Sequence, residues 1–378
     1  VMSQSSQDKS VNRRKFLKGG AVAAAATATV AFPNVSRAQT KLVKMQSGWP
    51  ATEMFQDMAR QYVERVEKMS GGRLKVDLLA AGAVVKAFQV QDAVAAGTLD
   101  GGHHVAAYWY SKNKAASLFG TAPVFGTDAA QIIAWIHYGG GKELYRELIE
   151  DILKLDVVGF FAFAMPTQPF GWFKKEVKNL ADVQGLKYRT VGLATEIQQS
   201  IGMSVVQLPG GEIVPALEKG TIEAFEFNNP SSDKRFGAAN VAKIYMLGSY
   251  HQAAECFEII FNKTFYKALP AEQQAILEFS AEAATTANYG LAMRDYSNDL
   301  QSLIKDSGVT VVRTPEDVTK AQLKGWDAAL TKFSADPFFK KVVDSQKAWA
   351  EKVGYYHHLN SADFKAAYEH FFPGKLPA

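Results

Sequence analysis

Three polar residues at predicted strand ends have the chemistry to bind an organic anion. Arg189 is the next-to-last residue of the alternating run "GLKYRT", Glu226 is the next-to-last residue of the apolar run "TIEAFEF", and Gln168 stands beside Pro169. A guanidinium offers a planar fork of N–H donors that matches a carboxylate. Glutamine, glutamate and backbone carbonyl oxygens together suit a hard cation. If the fold brings these residues together, they could clamp a carboxylate and hold a cation beside it.

Each residue also has a purely structural explanation, which the residue types leave open. Arginine is mostly exposed in folded proteins, so Arg189 could be a solvated residue at a strand end. Gln168 could be a turn residue that precedes Pro169. The spacing permits the three side chains to converge, but it does not require it.

The elements that must position these residues follow the pattern of an α/β protein. From residue 41 to residue 110, strand and helix patterns alternate at short spacing, which predicts a mostly parallel lobe with right-handed crossovers. A second α/β unit contains "GLKYRT", "SVVQLP" and "TIEAFEF". Ligand crevices in such sheets lie beyond the carboxyl ends of the strands.

The order of elements predicts two lobes with two hinge strands between them. Lobe I is expected to contain residues 39–166 and 252–378, including long C-terminal helices, and lobe II residues 167–251. The hinge strands are expected near 165–171 and 248–252, where proline and glycine are frequent.

Residues 1–38 have the features of an export signal rather than of the fold. The twin arginines Arg13 and Arg14 precede an alanine-rich apolar run, and "SRA" supplies small residues at a cleavage point. This segment contains six of the 42 basic side chains and one of the 38 acidic ones, so the rest of the chain has 36 and 37. A nearly neutral mature chain gives no electrostatic reason to expect binding to nucleic acid or to an anionic membrane.

No familiar catalytic motif is present in the sequence. Cys256 is the only cysteine, and its apolar surroundings predict a buried structural thiol. The glycine-rich loops "YGGGKELY" and "LPGGEIV" lack the spacing of a P-loop, and the histidines lack the spacing of a zinc helix. We therefore expect no enzyme, although a catalytic site without a known motif stays possible.

Several motifs in order resemble the periplasmic solute-binding subunits of TRAP transporters, the DctP-type family. They are "MSGGRLKV", "AAGAVVKAFQVQDAVAAGTLDGGHH", "WIHYGGGKELY", "GWF", "GLKYRT", "LPGGEIVPALEKGTIEAFEF" and "FNK". The resemblance covers about residues 40–372 and is strongest to the branch that binds 2-oxo acids, often labelled mannitol/chloroaromatic. It implies a two-lobed, periplasmic-binding-protein-like α/β fold and a periplasmic location after twin-arginine export.

The resemblance also implies roles for individual residues. Arg189 matches the arginine that grips the ligand carboxylate, while Gln168, Glu226 and the carbonyl of Phe227 match the ligands of a sodium or calcium ion bound with the acid. No catalytic cofactor is implied. Tyr108 matches an aromatic position that covers the ligand from the other lobe, and His251 falls near a family histidine at the second crossing.

The sequence departs from the family pattern next to Glu226. Phe227 stands where the branch has tryptophan, and Asn228, Asn229 and Ser231 replace a small glycine-containing pair and an aromatic residue. These changes predict a smaller, more polar pocket wall with Asn229 among the ligand-binding residues. The corresponding hypothesis is a ligand that is larger than pyruvate or carries an extra polar group.

The expected partners are a small 2-oxo or 2-hydroxy monocarboxylate and the TRAP permease subunits in the membrane. Two alternatives remain, a Tat-exported periplasmic enzyme that acts on an organic acid and a binding protein that feeds a sensor. The aromatic residues of the C-terminal helices could pack on their own lobe or across a homodimer, and they are Phe338, Phe339, Trp349, Tyr355 and Tyr356.

Overall fold

Two β-sheets organise residues 40–376, the part of the chain that the computed structural model describes. The strands are β1 (Lys41–Ser47), β2 (Leu74–Leu79), β3 (Gly101–Val105), β4 (Val157–Met165), β5 (Gly171–Phe173), β6 (Lys187–Arg189), β7 (Ser204–Val206), β8 (Ala224–Phe225), β9 (Ile244–Leu247), β10 (Glu255–Asn262) and β11 (Thr310–Arg313). The first sheet has the order β2-β1-β3-β10-β4, and the second has the order β11-β9-β5-β8-β6-β7.

Helices cover both sheets and dominate the C-terminal third. They are α1 (Met54–Met69), α2 (Val90–Ala95), α3 (Ser117–Gly120), α4 (Ala129–Tyr138), α5 (Gly141–Glu147), α6 (Ala194–Ser200), α7 (Ile213–Glu218), α8 (Pro230–Arg235), α9 (Ala238–Val241), α10 (Lys263–Lys267), α11 (Ala271–Ser307), α12 (Glu316–Phe333), α13 (Pro337–Asn360) and α14 (Phe364–Phe371). Among the described residues, no helix combines the length and the apolar character that a membrane span needs.

The first sheet is mixed rather than mostly parallel. Strand β1 pairs in parallel with β2 and β3, as the strand–helix alternation predicts. Strand β10 returns from the second sheet and inserts between β3 and β4, antiparallel to both. The return of this strand to the first lobe follows from the sequence pattern, but its antiparallel position between β3 and β4 does not, because its neighbours are chosen by long-range packing.

The core of the first sheet contains a buried polar cluster. Glu258 of β10 is fully buried, with His104 Nδ1 3.1 Å from its Oε1 and the Tyr145 hydroxyl donating to its Oε2. Gln91 Nε2 lies 3.0 Å from His104 Nδ1. These contacts pair polar groups of the core with one another, although His104 Nε2 has no partner among the described residues. Cys256 is buried on the same strand as a free thiol, as predicted.

The second sheet places three parallel strands side by side. Strand β6 lies between β8 and β7 and runs parallel to both, with Arg189 opposite Phe225 and Val206. The carboxyl ends of these strands therefore meet at one edge of the sheet, the position at which α/β sheets bind ligands.

The predicted assignment of residues 252–378 to lobe I is wrong for one strand. Strand β11 pairs in parallel with β9, so residues 310–313 belong to the second sheet. The chain passes between the sheets after Met165 and before Glu255, as expected, and it crosses again through the 37-residue helix α11. The predicted signal, residues 1–38, lies outside the described residues.

Candidate functional site

Arg189 is buried at the carboxyl end of β6 instead of being solvated. Its exposed fraction is 1%, and its Nε and Nη2 donate to the carbonyl of Leu208 at 2.8 and 2.6 Å. Its Nη1 donates to both the carbonyl and Oε1 of Glu226, each at 2.9 Å. These four bonds leave one of the five guanidinium donors without a partner among the described residues. A buried guanidinium with a spare donor can receive an anion.

Glu226 follows β8 directly and shares its burial with Arg189. Its Oε2 has no hydrogen-bond partner within the described part of the chain. Burial raises the pKa of Glu226 to about 7, although Arg189 and the nearby Thr190 hydroxyl favour the charged form. A carboxylate oxygen that is buried and unpartnered can bind a cation, which would repay the desolvation of the charge.

Gln168 lies where the chain first passes between the two sheets, after Met165. It contacts Glu255, a carboxylate that the sequence did not point to as part of the site. Its Nε2 donates to Oε2 of Glu255 at 2.6 Å, while its own Oε1 has no partner among the described residues. Burial and the nearby charge of Glu226 raise the pKa of Glu255 well above its ordinary value. Glu255 begins an apolar strand, and a single acidic residue at such a point is the only sequence signal for its role.

The two asparagines after Phe227 bind protein groups through part of their hydrogen-bonding capacity. Asn228 Nδ2 donates to Glu255, and Asn228 Oδ1 accepts from Asn229 Nδ2 at 2.6 Å. Asn229 Oδ1 accepts from the first backbone N–H groups of α8 as an N-cap. Each amide nitrogen keeps a second N–H, and the polar pocket wall stays a prediction for this pair.

The ring of Phe227 lies between Arg189 and helix α1. Its ring centroid lies 5.5 Å from that of Phe55 in α1 and 5.8 Å from the guanidinium carbon of Arg189. No described residue donates a hydrogen bond to its backbone carbonyl.

Tyr108 approaches the same group of residues from the first sheet. Its ring packs edge-on against Phe88, with centroids 4.6 Å apart, and lies 6.1 Å from Trp49. Burial raises the pKa of Tyr108 to about 12, and the charges of Arg189 and Glu226 contribute smaller effects.

His251 has no described contact with Arg189, Glu226 or Gln168. Its Nδ1 lies 2.6 Å from the Ser249 hydroxyl, and burial lowers its pKa to about 3, so the ring is neutral. The next residue, Gln252, contacts the site instead. The carbonyl of Gln252 accepts from the backbone of Gln168 at 3.1 Å, its Nε2 lies 3.5 Å from the Thr190 hydroxyl oxygen, and its Oε1 has no partner.

The unpartnered atoms are of the kind that coordinate a hard cation. Gln168 Oε1, Glu226 Oε2 and Gln252 Oε1 are buried acceptors without a donor among residues 40–376, and the Phe227 carbonyl likewise has none there. Carboxylate, amide and backbone oxygens are the donor set that sodium and calcium prefer. No group of three or more His, Cys, Asp or Glu side chains among the described residues could hold a metal ion.

Asp233 of α8 adds a pH-dependent contribution to stability beside the site. Its Oδ2 accepts from Trp172 Nε1 at 2.7 Å, and burial raises its pKa from 3.8 to about 7. Between these pH values the folded chain binds more protons than the unfolded chain, so the free energy of unfolding falls as pH rises. In urea unfolding, the free energy of unfolding of the wild type should fall between pH 4 and pH 8. In Asp233→Asn this fall should be smaller, by up to about 4 kcal/mol. Asp344→Asn, an exposed control, should keep the wild-type dependence, and an unchanged slope in Asp233→Asn would contradict the assignment.

The N-terminal segment matches a known export signal. Residues 10–30 match the signal sequence of the twin-arginine translocation pathway. This confirms the expected route of export, and the segment itself lies outside the described residues.

A curated relative covers nearly the whole chain. The monocarboxylate 2-oxoacid-binding periplasmic protein of Nostoc sp. (strain PCC 7120) is 31% identical over 361 residues, which are 94% of this chain and 98% of that protein.

Solved structures of similar sequence share the fold. A TRAP solute-binding protein from Bordetella bronchiseptica, a dimer with calcium and picolinate at one site, has a TM-score of 0.80 and 29% identity over 88% of this chain and 98% of that chain. A protein from Colwellia psychrerythraea with calcium and pyruvate also has a TM-score of 0.80, at 30% identity over 88% of this chain and 100% of that chain. A third, from Pseudoalteromonas atlantica, contains sodium and pyruvate, with a TM-score of 0.80 and 29% identity over the same shares.

The family model agrees with these relatives. Residues 45–339 match the model described as bacterial extracellular solute-binding protein, family 7. Together with the twin-arginine signal, this match assigns the exported chain to the periplasm. The chain belongs to the DctP family of TRAP solute-binding proteins.

Proposed function

We propose that the chain is a solute receptor that binds a small 2-oxo or 2-hydroxy monocarboxylate and delivers it to TRAP permease subunits in the membrane. The observation that carries the proposal is the buried Arg189 beside the unpartnered oxygens of Gln168 and Glu226. Relatives with calcium or sodium and pyruvate support the same combination of ligand and cation.

In the proposed complex the ligand carboxylate takes the place of Glu226 Oε1 on Arg189. Nη1 of Arg189 then donates to the ligand, together with the donor of the guanidinium that has no partner in the structure. Two N–H groups in one plane give the bidentate geometry that makes arginine selective for carboxylates. Tyr108 covers the ligand from the side of the first sheet.

The proposed cation site has Gln168 Oε1, Glu226 Oε2 and the Phe227 carbonyl as ligands, with Gln252 Oε1 as a further acceptor within the same group. A bound sodium or calcium ion supplies positive charge that joins the carboxylate and 2-oxygen of the acid to the protein. No catalytic cofactor is proposed.

Closure of the two predicted lobes would enclose the acid. Contacts that support a closed form join the two sides of the site, including Leu193 N to the Ser117 hydroxyl at 2.9 Å and the Tyr110 hydroxyl to Glu196 at 2.7 Å. Between them, Gly192 has φ +64°, and a Cβ at this residue would lie 2.5 Å from Ser117 Oγ. Ligand binding shifts the population toward the form in which such contacts are made.

Pyruvate is the first acid to test, because relatives with calcium or sodium contain it. The hypothesis of a larger or more polar ligand rests on a smaller, more polar pocket wall, and Asn228 and Asn229 keep one N–H each beyond their bonds to protein groups. An acid with an extra polar group is therefore the second ligand to test.

Native mass spectrometry of the protein as purified, followed by calorimetry with pyruvate and calcium or sodium, tests the proposal. We expect a bound acid of low mass, a cation, and a dissociation constant that depends on both. Turnover of the acid would favour the alternative of a periplasmic enzyme, and failure to bind any short oxo or hydroxy acid would contradict the proposal. A gene neighbourhood with a sensor in place of permease genes would favour the second alternative.

We further propose a homodimer formed by the C-terminal arm, residues 355–376. All of α14 is exposed, and the arm presents large apolar side chains at 40–77% exposure. These are Tyr355, Tyr356, Leu359, Phe364, Tyr368, Phe371, Phe372 and Leu376. An apolar surface of this kind marks an interaction site, and the dimeric Bordetella relative supports a second copy as the partner.

Removal of the interaction surface tests the dimer. Light scattering after gel filtration should give twice the chain mass for the wild type and a single chain mass for Phe364→Ser with Phe371→Ser. Phe279→Ser, an exposed phenylalanine on α11, is the control and should stay dimeric. A wild type that is monomeric at micromolar concentration would contradict the arm as a dimer contact.

A further inference from the structure

Glu255 occupies the junction between the first sheet, the first crossing and the second sheet. It is the first residue of β10 and is 4% exposed. Its Oε2 accepts from Gln168 Nε2 at 2.6 Å and also from Asn228 Nδ2. One carboxylate oxygen thus orients two side-chain amides from different parts of the chain.

The contact with Gln168 determines which way the glutamine amide faces. Oε2 of Glu255 accepts from two amides and is therefore an acceptor oxygen, so the NH₂ group of the Gln168 amide points to it. The carbonyl oxygen of the same amide, Gln168 Oε1, then points away and is buried without a partner. In the opposite orientation two oxygens would face each other, and the acceptor would be withdrawn from the site.

A chain of hydrogen bonds continues from Glu255 into the second sheet. Asn228 binds Glu255 through Nδ2 and accepts from Asn229 Nδ2, whose Oδ1 caps α8 at Ser231 and Ser232. The backbone N–H of Asn228 lies 3.4 Å from Asp233 Oδ1, so its backbone is also bound to α8. The Asn228 amide is therefore held in a defined orientation by Asn229 and Glu255, while the Gln168 amide is bonded only to Glu255 among the described residues.

Resting on the cation site of the proposed function, we infer that Glu255 is a positioning residue that sets the affinity of the site for its cation by fixing Gln168 with Oε1 available. The asparagine pair supports the same role, because the hydrogen bonds of Asn228 and Asn229 connect Glu255 to the N-terminus of α8. Mutation of a residue that orients a metal ligand in this way typically lowers metal affinity by about 10–100-fold.

A double-mutant cycle distinguishes orientation from simple charge. In Glu255→Gln the residue can donate or accept, so the Gln168 amide loses its single orientation. Calorimetric titration of calcium and of sodium, each at saturating pyruvate, should show at least about a tenfold loss of cation affinity. In a Gln168→Ala background the same change should cost less than about threefold, because the amide that it orients is gone. A pure charge effect would instead cost the same factor in both backgrounds.

Glu258→Gln is the matched control, because Glu258 is a buried carboxylate of the same strand that binds His104 and Tyr145. It should leave cation affinity within about twofold of wild type. If Glu255→Gln does not fold, Glu255→Asp enters the same cycle, since the shorter side chain keeps the charge and loses the contact.

The outcomes separate this inference from the proposed function. Wild-type affinity in Glu255→Gln, or equal losses in both backgrounds, overturns the positioning role and leaves the cation site standing. A wild-type protein that binds pyruvate with no dependence on calcium or sodium overturns both the cation site and the positioning role.

Discussion

Replacement of Arg189 by alanine is expected to lower the affinity for pyruvate on the order of a thousandfold, or about 4 kcal/mol. The guanidinium is 1% exposed and lies where three parallel strands end. No other arginine or lysine is fully buried among the described residues. A ligand carboxylate that entered this site without Arg189 would lose its charged partner in a place where water cannot replace it.

The fold must be checked separately, because Arg189 also binds the Leu208 and Glu226 carbonyls. Arg189→Lys keeps the charge but has no planar fork, so it should still lose at least about tenfold in affinity with smaller structural cost. Arg235→Ala removes a surface arginine that pairs with Asp57 and should bind like the wild type. Thermal unfolding of all variants accompanies the calorimetry, and a folded Arg189→Ala protein with wild-type affinity would remove Arg189 from the binding site.

Local patterns were sufficient to predict the class of fold and the residues at strand ends. The α/β class is confirmed. Arg189 and Glu226 could be placed at strand ends because each stands at the end of a short alternating or apolar run, while their roles as ligand-binding residues come from the family resemblance and stay predictions. Parallel strands bring their carboxyl ends together by geometry, so residues distant in sequence could be grouped.

The parts that were missed depend on contacts between distant segments. Glu255 and Gln168 are 87 residues apart and meet only after β10 has inserted into the first sheet. Strand β11 joined the second sheet for a similar reason, since α11 carries the chain from one sheet to the other. At the second crossing the side chain of Gln252, next to His251, approaches Thr190, and nothing in the sequence of an irregular crossing tells which of two adjacent side chains faces a given neighbour.

The second large effect is expected from the cation. Pyruvate affinity should fall by about a hundredfold when sodium is replaced by choline and calcium is removed by chelation, since affinity in such sites follows the charge and number of oxygen ligands. Glu226→Gln should lose about tenfold in pyruvate affinity in the presence of the cation, because it removes one ligand charge and leaves the side-chain shape unchanged. Glu258→Gln again serves as the buried control, and pyruvate binding that is equal with and without both cations would contradict the bridge.

Glu226→Gln should bind pyruvate more tightly than the wild type when no cation is present. In the ligand-free structure Glu226 Oε1 accepts from Arg189 Nη1, the donor that the ligand carboxylate needs. An ionised Glu226 without a cation therefore competes with the ligand for Arg189 and repels its charge. Glutamine at this position still accepts from Arg189 but carries no charge, so Glu226→Gln should bind pyruvate about tenfold more tightly than the wild type in cation-free buffer. Binding curves of the two proteins at increasing calcium should then cross, because the wild type gains affinity and Glu226→Gln does not. Curves that stay parallel would mean that Glu226 acts on Arg189 alone and that the cation, if bound, is held elsewhere.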